Sequence, residues 1–304
     1  MPSRLFGTHP DRVSILGLGG YHLGQVGTIA EAVRIVHEAI DAGVNFLDNA
    51  WEYHDGVSED RMGRAIADRR DRVFLMTKVC THGRSASVAM RQLDESLRRL
   101  RTDHLDLWQI HECAYYNDPD RHFAPGGVVE ALERARAQGK TRYVGFTGHK
   151  DPEIHLRMLS FGFPFDACQL PLNGFDRHFR SFQTRVLPEL ARQRIAAIGM
   201  KSLGGDRRAV QQRAERAADA LRYAMSLPVV TTVSGIDSLK VLRQNLRIAR
   251  SFTPMSARER GAFERRLERD AADGRYEIYK TTAEHEGPVG REQHRFPSQE
   301  EVAQ

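Results

Sequence analysis

The sequence predicts an α/β protein, a closed (β/α)8 barrel of the TIM-barrel type, and three observations lead to this fold class. Eight short apolar runs alternate with eight amphipathic stretches, the connections between them are short, and no linker rich in Pro, Gly or Ser splits the chain. Strands that alternate with helices form right-handed βαβ units and therefore a parallel sheet. Eight such units indicate a sheet that closes on itself.

The individual elements follow from periodicity, since buried strands are short apolar runs and helices repeat apolar residues every 3.6 positions. Strands are predicted at 13–19, 44–50, 72–79, 104–111, 142–148, 165–170, 196–201 and 229–235. Helices are predicted at 29–42, 58–69, 86–101, 127–139, 151–160, 184–194, 207–226 and 238–250. Residues 1–12 could cap the barrel floor, and a helical stretch, 256–272, and a polar tail, 273–304, follow the last unit. We expect one domain over 1–304, with a core at about 4–250 and a C-terminal helix and tail at 251–304.

Composition excludes several classes of protein. With 304 residues, 40% hydrophobic and 28% charged, the chain is typical of a soluble globular protein. It has no apolar stretch of membrane-spanning length and no apolar signal core near the N-terminus, so we expect a cytoplasmic protein without a membrane partner. Cys80, Cys113 and Cys168 are too far apart for a metal pair or a disulfide framework. The formal charge of +5 is scattered at helical spacing, which favours solvated helix faces over nucleic-acid binding.

Polar residues follow three consecutive predicted strands. Asp48 and Tyr53 come after the second strand, Lys78 ends the third, and His111 ends the fourth. Lysine is rare here, with six lysines against 39 arginines, so a lysine inside a strand is unusual. Each residue alone could be structural, but the chemistry of this fold lies at the C-terminal ends of its strands. We therefore expect the four side chains to meet on one rim.

These four residue types suit the protonation of a carbonyl oxygen. A tyrosine hydroxyl titrates near 10 in water, and a nearby ammonium favours the phenolate and lowers that pKa. Asp48 could supply the counter-charge that a buried lysine needs. His111 could donate a hydrogen bond to a carbonyl oxygen. A hydride for the carbon atom must come from a cofactor, because no side chain can donate one.

The chain resembles the aldo-keto reductases. The motifs that carry the resemblance are F-L-D-N-A-x-x-Y followed by S-E (46–53 and 58–59), M-T-K (76–78) and H-L-D-L-W-Q-I-H (104–111). The resemblance covers about residues 4–250 and implies a TIM barrel that binds NADPH in an extended form without a Rossmann domain. It also implies a tetrad in which Tyr53 is the general acid in reduction, Lys78 lowers its pKa, Asp48 pairs with Lys78, and His111 orients the carbonyl. Because His111 is retained, the resemblance does not extend to the steroid double-bond reductases, which have glutamate there.

The resemblance further implies a set of cofactor contacts at the ends of the strands. These positions are Gly20, Tyr21, Asp48, Thr147, Gly148, Gln169, Met200, Lys201, Ser202, Leu203, Gly204, Ser234, Gly235, Asp237, Lys240, Gln244 and Asn245. Thr147 and Gln169 match residues that hold the nicotinamide carboxamide, and the segment from Ser234 to Asn245 resembles the one that holds the adenosine end. The glycines of the loop at 200–205 would let backbone amides approach the pyrophosphate. The usual Lys-Ser pair for the 2′-phosphate is replaced by Gly235-Ile236, and Lys240 or Arg243 could serve instead. NADP is therefore the expected cofactor, and NAD is possible.

The implied function is hydride transfer between NADP(H) and the carbonyl or alcohol group of a small aldehyde, ketone or sugar, in a monomer or small homo-oligomer. Tyr21, Trp51, Tyr53, His111 and Tyr115 are expected to line the substrate pocket, and the segment 276–297 either covers the mouth or is mobile. The alternative is a cofactor-sensing regulatory subunit with little turnover, like the potassium-channel β subunits that share this fold.

Two further patterns are set aside. Tyr276 and Lys280 form a Y-x-x-x-K pattern by chance, because the Gly-rich turn of the short-chain dehydrogenases is missing. None of the 13 histidines forms an H-x-H pair, so no catalytic metal is expected.

Overall fold

The computed structural model describes residues 1–80, 85–205, 208–212, 216–283, 285–287, 292 and 295. Eight parallel strands form a closed barrel, in which each strand pairs with the next along the chain and the last pairs with the first. The predicted (β/α)8 barrel is therefore confirmed. The barrel strands are β3 (Leu16–Gly19), β4 (Phe46–Asp48), β5 (Phe74–Val79), β6 (Leu105–Ile110), β7 (Thr141–Thr147), β8 (Ala167–Pro171), β9 (Ala196–Met200) and β10 (Thr231–Gly235).

Helices surround the barrel and bury their apolar faces against it. They are α1 (Gly20–Gln25), α2 (Ile29–Asp41), α3 (Val57–Ile66), α4 (Ala86–Leu100), α5 (Asp118–Phe123), α6 (Val128–Ala137), α7 (Pro152–Ser160), α8 (Phe182–Arg185), α9 (Leu187–Gln193), α10 (Arg208–Gln211), α11 (Ala217–Ser226), α12 (Leu239–Arg250), α13 (Ala257–Ala271) and α14 (Ile278–Thr281). Helix α13 begins with a capping box, in which the Ser256 and Glu259 side chains each accept from the other's backbone amide. No helix in the described part of the chain is both long and apolar enough to cross a membrane.

The barrel floor is closed by the N-terminal residues, as predicted. Strands β1 (Ser3–Leu5) and β2 (Arg12–Ser14) form an antiparallel pair. This pair places Phe6, which is fully buried, 4.7 Å from Phe74 and 5.2 Å from Tyr143 between ring centroids. The predicted strand at 13–19 is therefore two strands, because its first residues pair with β1 rather than within the barrel.

Two predicted helices are also divided. The stretch at 184–194 is α8 and α9, and Pro188 lies in the first turn of α9, where the missing amide of proline is tolerated. The stretch at 207–226 contains α10 and α11, and residues 207 and 213–215 of that prediction lie outside the described residues.

The C-terminal segment differs most from its prediction. Residues 276–280 were predicted to belong to a polar tail, but Tyr276, Ile278, Tyr279 and Lys280 are buried. The segment returns to the C-terminal ends of the barrel strands, where the backbone amide of Gly205 donates to the carbonyl of Tyr276 at 2.7 Å. Sequence polarity was misleading here because the charged groups of the segment are paired inside the protein.

Candidate active site

The structure brings the four predicted tetrad residues together at the barrel mouth. Asp48 ends β4, Lys78 lies near the end of β5, and His111 directly follows β6. The Lys78 ammonium donates to Oδ1 of Asp48 at 2.8 Å and lies 3.3 Å from the Tyr53 hydroxyl. The ring of Tyr53 meets the His111 ring edge-on, with 5.5 Å between the centroids. A proton donor, a cation, its counter-charge and an imidazole thus share one small space.

A strained turn holds Tyr53 in this position. Tyr53 opens a 3-10 turn in which His54 and Asp55 have φ values of 52° and 55°, a left-handed conformation that costs energy for residues with a Cβ. The turn is held by the His54 side chain, whose Nε2 lies 2.8 Å from the carbonyl oxygen of Tyr21. The ring of Tyr21 packs edge-on against Tyr53 at 5.3 Å. Tyr21 therefore borders the predicted site on the side of the first βα loop.

The electrostatic environment of Tyr53 is opposite to the predicted one. Burial raises the pKa of the Tyr53 hydroxyl well above its usual value, and the carboxylates of Asp48, Glu112 and Glu52 raise it further. The expected net acidity of this phenol is therefore not found, because burial and the carboxylates outweigh the nearby ammonium of Lys78. Asp48 already neutralises Lys78, and two additional carboxylates face the phenol. Tyr53 is therefore fully protonated at neutral pH.

Those additional carboxylates flank His111. Oε1 of Glu52 lies 2.7 Å from Nδ1 of His111, and Oε1 of Glu112 lies 3.3 Å from Nε2 of His149. Glu112 has a φ of 50°, so a left-handed backbone turns its side chain at the end of the strand. Glu52, His111 and Glu112 offer ligand atoms within 4.8 Å of one another, the only such group of three or more that the described residues form.

Gln169 joins the tetrad to the predicted nicotinamide position. Its Nε2 donates to Oδ2 of Asp48 at 2.7 Å, which leaves its Oε1 buried and without a hydrogen-bond partner among the described residues. Thr147, at the end of β7, is also buried, and the next residue is Gly148. A buried acceptor without a partner beside these strand ends suits the amide group of a nicotinamide, which can donate to it.

The predicted pyrophosphate loop, Met200–Gly205, lies between the barrel and the C-terminal segment. Lys201 has a φ of 54°, and its ammonium lies over the Tyr279 ring, 5.1 Å from the centroid. The pKa of Lys201 is lowered to about 8, chiefly by burial; the Glu112 carboxylate raises it and the Lys78 ammonium lowers it. Gly204 has a φ of 80°, and a Cβ there would lie 2.4 Å from the carbonyl oxygen of Tyr276. The loop is thus built around glycine, with Ser202 buried and Leu203 partly buried beside it.

The predicted adenosine segment runs from the end of β10 into α12. Asn245 donates to Oγ of Ser234 at 3.0 Å, and Ser238, the N-cap of α12, donates to Oδ1 of Asp237 at 3.1 Å. Arg243, a candidate for the 2′-phosphate, is bound to Glu38 by two hydrogen bonds of 2.6 and 2.9 Å. The other candidates on this segment are the exposed Gly235 and Lys240 and the partly buried Gln244.

The structure separates the predicted substrate-pocket residues into two groups. Tyr21, Tyr53 and His111 lie together at the mouth. Trp51 instead donates from Nε1 to Glu95 of α4 at 2.8 Å, so its indole is held on the side of the barrel. Tyr115 donates to Oε2 of Glu286 at 2.6 Å and lies beneath the C-terminal segment.

That segment covers part of the mouth. Lys150 donates to Oε1 of Glu286 and to the carbonyl of Thr282, both at 2.8 Å. The amide of Gly287 donates to Oε2 of Glu112 at 3.0 Å, and a Cβ at Gly287 would lie 2.5 Å from Oε2 of Glu52. Of the predicted segment 276–297, the part up to 287, apart from 284, is described, and it lies across the mouth. Residues 284, 288–291, 293–294 and 296–297 lie outside the described residues.

Comparison with known proteins agrees with this geometry. The family model "Aldo/keto reductase family" matches residues 15–219. The 6-dehydroglucose reductase of Novosphingobium aromaticivorans is 31% identical over 226 residues, which cover 69% of this chain and 72% of that protein. The chain belongs to the aldo/keto reductase family. It is accordingly an NAD(P)H-dependent oxidoreductase of carbonyl or alcohol groups, as predicted.

Other proteins resemble it over shorter stretches or only in fold. The L-galactose dehydrogenase of Arabidopsis thaliana is 32% identical over 155 residues, 48% of each chain. The holo form of a Bacillus halodurans aldo-keto reductase has a TM-score of 0.74 at 24% identity and covers 88% of this chain and 96% of its own. A Klebsiella pneumoniae aldo-keto reductase in complex with NADPH has a TM-score of 0.73 at 23% identity, with the same coverage. These two structures support the fold.

Several residues of this aldo/keto reductase site were not among the predicted site residues. Glu52, Glu112, Lys150 and Glu286 are absent from the predicted set. Glu112 directly follows His111, so its position at a strand end was a usable signal. No signal in the sequence pairs Lys150 with Glu286, which are 136 positions apart.

Proposed function

We propose that this protein reduces the carbonyl group of a small aldehyde, ketone or sugar with NADPH, and that Tyr53 donates the proton to the carbonyl oxygen. The observation that carries the proposal is the Tyr53 hydroxyl 3.3 Å from the Lys78 ammonium, which is itself 2.8 Å from Asp48, at the mouth of the barrel. When bound, the nicotinamide supplies a hydride to the carbonyl carbon. The proton from Tyr53 then balances the charge that develops on oxygen.

The raised pKa of Tyr53 suits a proton donor. A phenol that stays protonated at neutral pH is available in every reduction cycle, and an alkoxide formed by hydride addition is a stronger base than a phenolate. Lys78 is 2% exposed and fixed by Asp48 and by the carbonyl of Asn49, so its ammonium lies ready to stabilise the phenolate that remains. In the oxidation of an alcohol the same groups act in reverse, with the phenolate of Tyr53 as the base.

The chain fits NADP(H) at the positions already described. The unpartnered Oε1 of Gln169 is an acceptor for the carboxamide, and Thr147 and Gly148 lie beside it. The loop of Met200, Lys201, Ser202, Leu203 and Gly204 would face the pyrophosphate, although the amide of Gly205 already donates to Tyr276. Because Arg243 is held by Glu38, we infer that Lys240 is the cation for the 2′-phosphate. Similar structures hold NADP or NADPH, which supports the choice of cofactor.

Sugars belong on the substrate panel because two of the relatives are named for sugar substrates, 6-dehydroglucose and L-galactose. We propose a neutral aldehyde, ketone or sugar carbonyl as the substrate, bound between Tyr21, Tyr53 and His111 beneath the C-terminal segment.

The proposal is tested by Tyr53→Phe. A positioned general acid contributes about 10²–10⁴-fold to the rate, so turnover of nitrobenzaldehyde with NADPH should fall by about that factor. NADPH binding, measured by fluorescence titration, should be unchanged. The matched control is Tyr116→Phe, a tyrosine that is 66% exposed, which should retain its turnover.

Two results would contradict the proposal. Unchanged turnover in Tyr53→Phe would show that Tyr53 is not the proton donor. Tight NADPH binding without turnover of any aldehyde, ketone, sugar or alcohol by the unmodified protein would favour a cofactor-sensing subunit instead.

A further inference from the structure

Two carboxylates lie beside the candidate catalytic groups at the mouth of the barrel. Glu52 directly precedes Tyr53, and its Oε1 lies 2.7 Å from Nδ1 of His111. Glu112 directly follows His111, and its Oε1 lies 3.3 Å from Nε2 of His149. The two glutamate side chains are only 11% and 12% exposed. No lysine or arginine in the described part of the chain forms an ion pair with either glutamate.

The neighbouring lysines have counter-charges of their own. Lys78 is paired with Asp48, and Lys150 is paired with Glu286, each at 2.8 Å. Opposite charges that lie close together largely cancel each other's field at a distance. Neither lysine therefore offsets the charge of the two glutamates.

Two further groups near the glutamates could be positively charged. Burial is the main reason why the pKa of His149 lies well below its usual value, and neighbouring cationic groups lower it further, so His149 is neutral. Lys201 is close enough to Glu112 to be affected by its charge. In the proposed function, however, the loop of Lys201 faces the pyrophosphate, which would neutralise that ammonium. The mouth therefore stays negative when the cofactor is bound.

The Tyr53 hydroxyl is affected by both glutamates. Burial is the main cause of its raised pKa, and the carboxylates of Asp48, Glu112 and Glu52 add to it. A carbonyl group that accepts from this hydroxyl lies in the same electrostatic field. A charged group on the substrate, close to that carbonyl, is therefore also subject to the two glutamates.

We propose that Glu52 and Glu112 determine specificity by charge: they reject carbonyl compounds that carry a carboxylate or another anionic group, and they accept neutral compounds and compounds that carry an ammonium group. The inference rests on the proposed function. Like charges brought together in a partly buried site repel, which is a recognised way to exclude a wrong substrate. Carboxylates also only accept hydrogen bonds, so the hydroxyl and ammonium groups of a substrate, which donate, suit them.

The charge of the whole chain acts in the opposite direction. The formal net charge is +5, so long-range attraction favours anionic compounds. Rejection of anions would therefore be a local property of the mouth, and it should depend on these two residues.

The test compares 4-nitrobenzaldehyde with 4-carboxybenzaldehyde, which have nearly the same shape but differ by one negative charge. The ratio of their kcat/KM values with NADPH is divided by the ratio of their reduction rates with borohydride, which corrects for intrinsic reactivity. In the unmodified protein the corrected ratio should favour the nitro compound by about a hundredfold, because each nearby like charge costs about a factor of ten. The protein is treated with EDTA, so that no divalent cation neutralises the glutamates.

Glu52→Gln and Glu112→Gln each remove one charge and keep the size of the side chain. Each should lower the corrected ratio by about tenfold, and any effect on catalysis that both aldehydes share cancels in the ratio. With 4-(trimethylammonio)benzaldehyde in place of the carboxylate, the same substitutions should act in the opposite direction. The matched control is Glu133→Gln on the exposed side of α6, which should leave the ratio unchanged.

A binding measurement detects the same discrimination without turnover. 4-Nitrobenzamide and 4-carbamoylbenzoate, whose amide groups are not reduced, are titrated into the full-length protein saturated with NADPH, and the nitro compound should bind more tightly. If the ratios in both glutamate variants equal those of the unmodified protein, or if the unmodified protein does not favour the nitro compounds, the proposal is overturned. If neither aldehyde is reduced but the ratio of binding affinities changes as expected, the proposed function alone is overturned.

Discussion

Two buried lysines of this protein have nearly the same surroundings but differ in one partner. Lys78 donates to Asp48 at 2.8 Å and to the carbonyl of Asn49 at 2.7 Å. Lys280 donates to Asp176 at 2.8 Å and to the carbonyl of Phe179 at 2.7 Å. The third partner differs: it is the Tyr53 hydroxyl for Lys78 and a second carboxylate, Glu277 at 2.9 Å, for Lys280.

This difference in the third partner distinguishes a lysine in the candidate site, Lys78, from a structural lysine, Lys280. A tyrosine also lies beside Lys280, but the Tyr279 hydroxyl donates to Glu277 at 2.6 Å and accepts from Asn173 at 2.9 Å, entirely inside the protein. Among the described residues the hydroxyl of Tyr53 has a hydrogen-bond contact only with Lys78, and it borders the mouth. A lysine, an aspartate and a tyrosine thus form a candidate site only where the tyrosine oxygen remains available to a substrate.

The largest expected effect comes from removing Lys280. In Lys280→Met, Asp176 and Glu277, whose side chains are both 0% exposed, would face each other without a cation. Removing one partner of a buried ion pair costs about 3–5 kcal/mol, so the free energy of unfolding should fall by about that amount, measured by urea denaturation. Lys78→Met is the matched variant, and it should abolish turnover. Equal turnover in the two variants, at a temperature where both are folded, would contradict the assignment of Lys78 as reactive and Lys280 as structural.

The next effect concerns Lys201, a partly buried lysine at the mouth without a carboxylate in hydrogen-bond contact among the described residues. Its pKa of about 8 lies below that of a lysine in the unfolded chain, about 10.4. Below pH 8 both states hold the proton, and the fold bears the cost of burying the charge. Between about pH 8 and 10.4 only the unfolded chain holds it, so stability should rise with pH by up to about 3 kcal/mol.

This pH dependence is measured as the difference in unfolding free energy between the unmodified protein and Lys201→Met, from pH 7 to 10.5. Subtracting the variant removes the titration of all other groups. A difference that stays constant across this range would show that Lys201 is solvated in the native state.

The smallest effect compares the two tyrosines. Tyr279→Phe removes a hydroxyl that bonds Glu277 and Asn173, and loss of a buried hydrogen-bond partner costs about 1–3 kcal/mol. Unfolding should show this loss while carbonyl reduction persists. Tyr53→Phe should lose carbonyl reduction while its free energy of unfolding stays nearly unchanged. Loss of turnover in Tyr279→Phe at full stability would instead place Tyr279 in the site.

The sequence was sufficient to predict the barrel and the tetrad, because both follow from the order of the strands along the chain and from the residues at their ends. Strand ends in a closed parallel barrel share one rim, so Asp48, Lys78 and His111 could be placed together from position alone. The direction of the Tyr53 pKa could not, because it depends first on the burial of the hydroxyl and then on nearby carboxylates, including Glu112, which is placed by a left-handed backbone. The C-terminal segment was misread for a similar reason. Lys280 pairs with Asp176, which is 104 positions away in the sequence. Local composition does not contain this contact, so the charged residues of the segment predicted a polar tail.

The hairpin of β1 and β2 bears on how the protein can be handled in the laboratory. Because that hairpin seals the floor, the start of the chain lies at the end of the barrel remote from Tyr53, whereas residues 276–287 run across the mouth. An affinity handle or a fluorescent reporter fused ahead of Met1 would leave substrate entry undisturbed. An insertion within residues 276–287 would instead disturb a segment whose Gly287 donates to Glu112, and it would alter the measurement it was meant to enable.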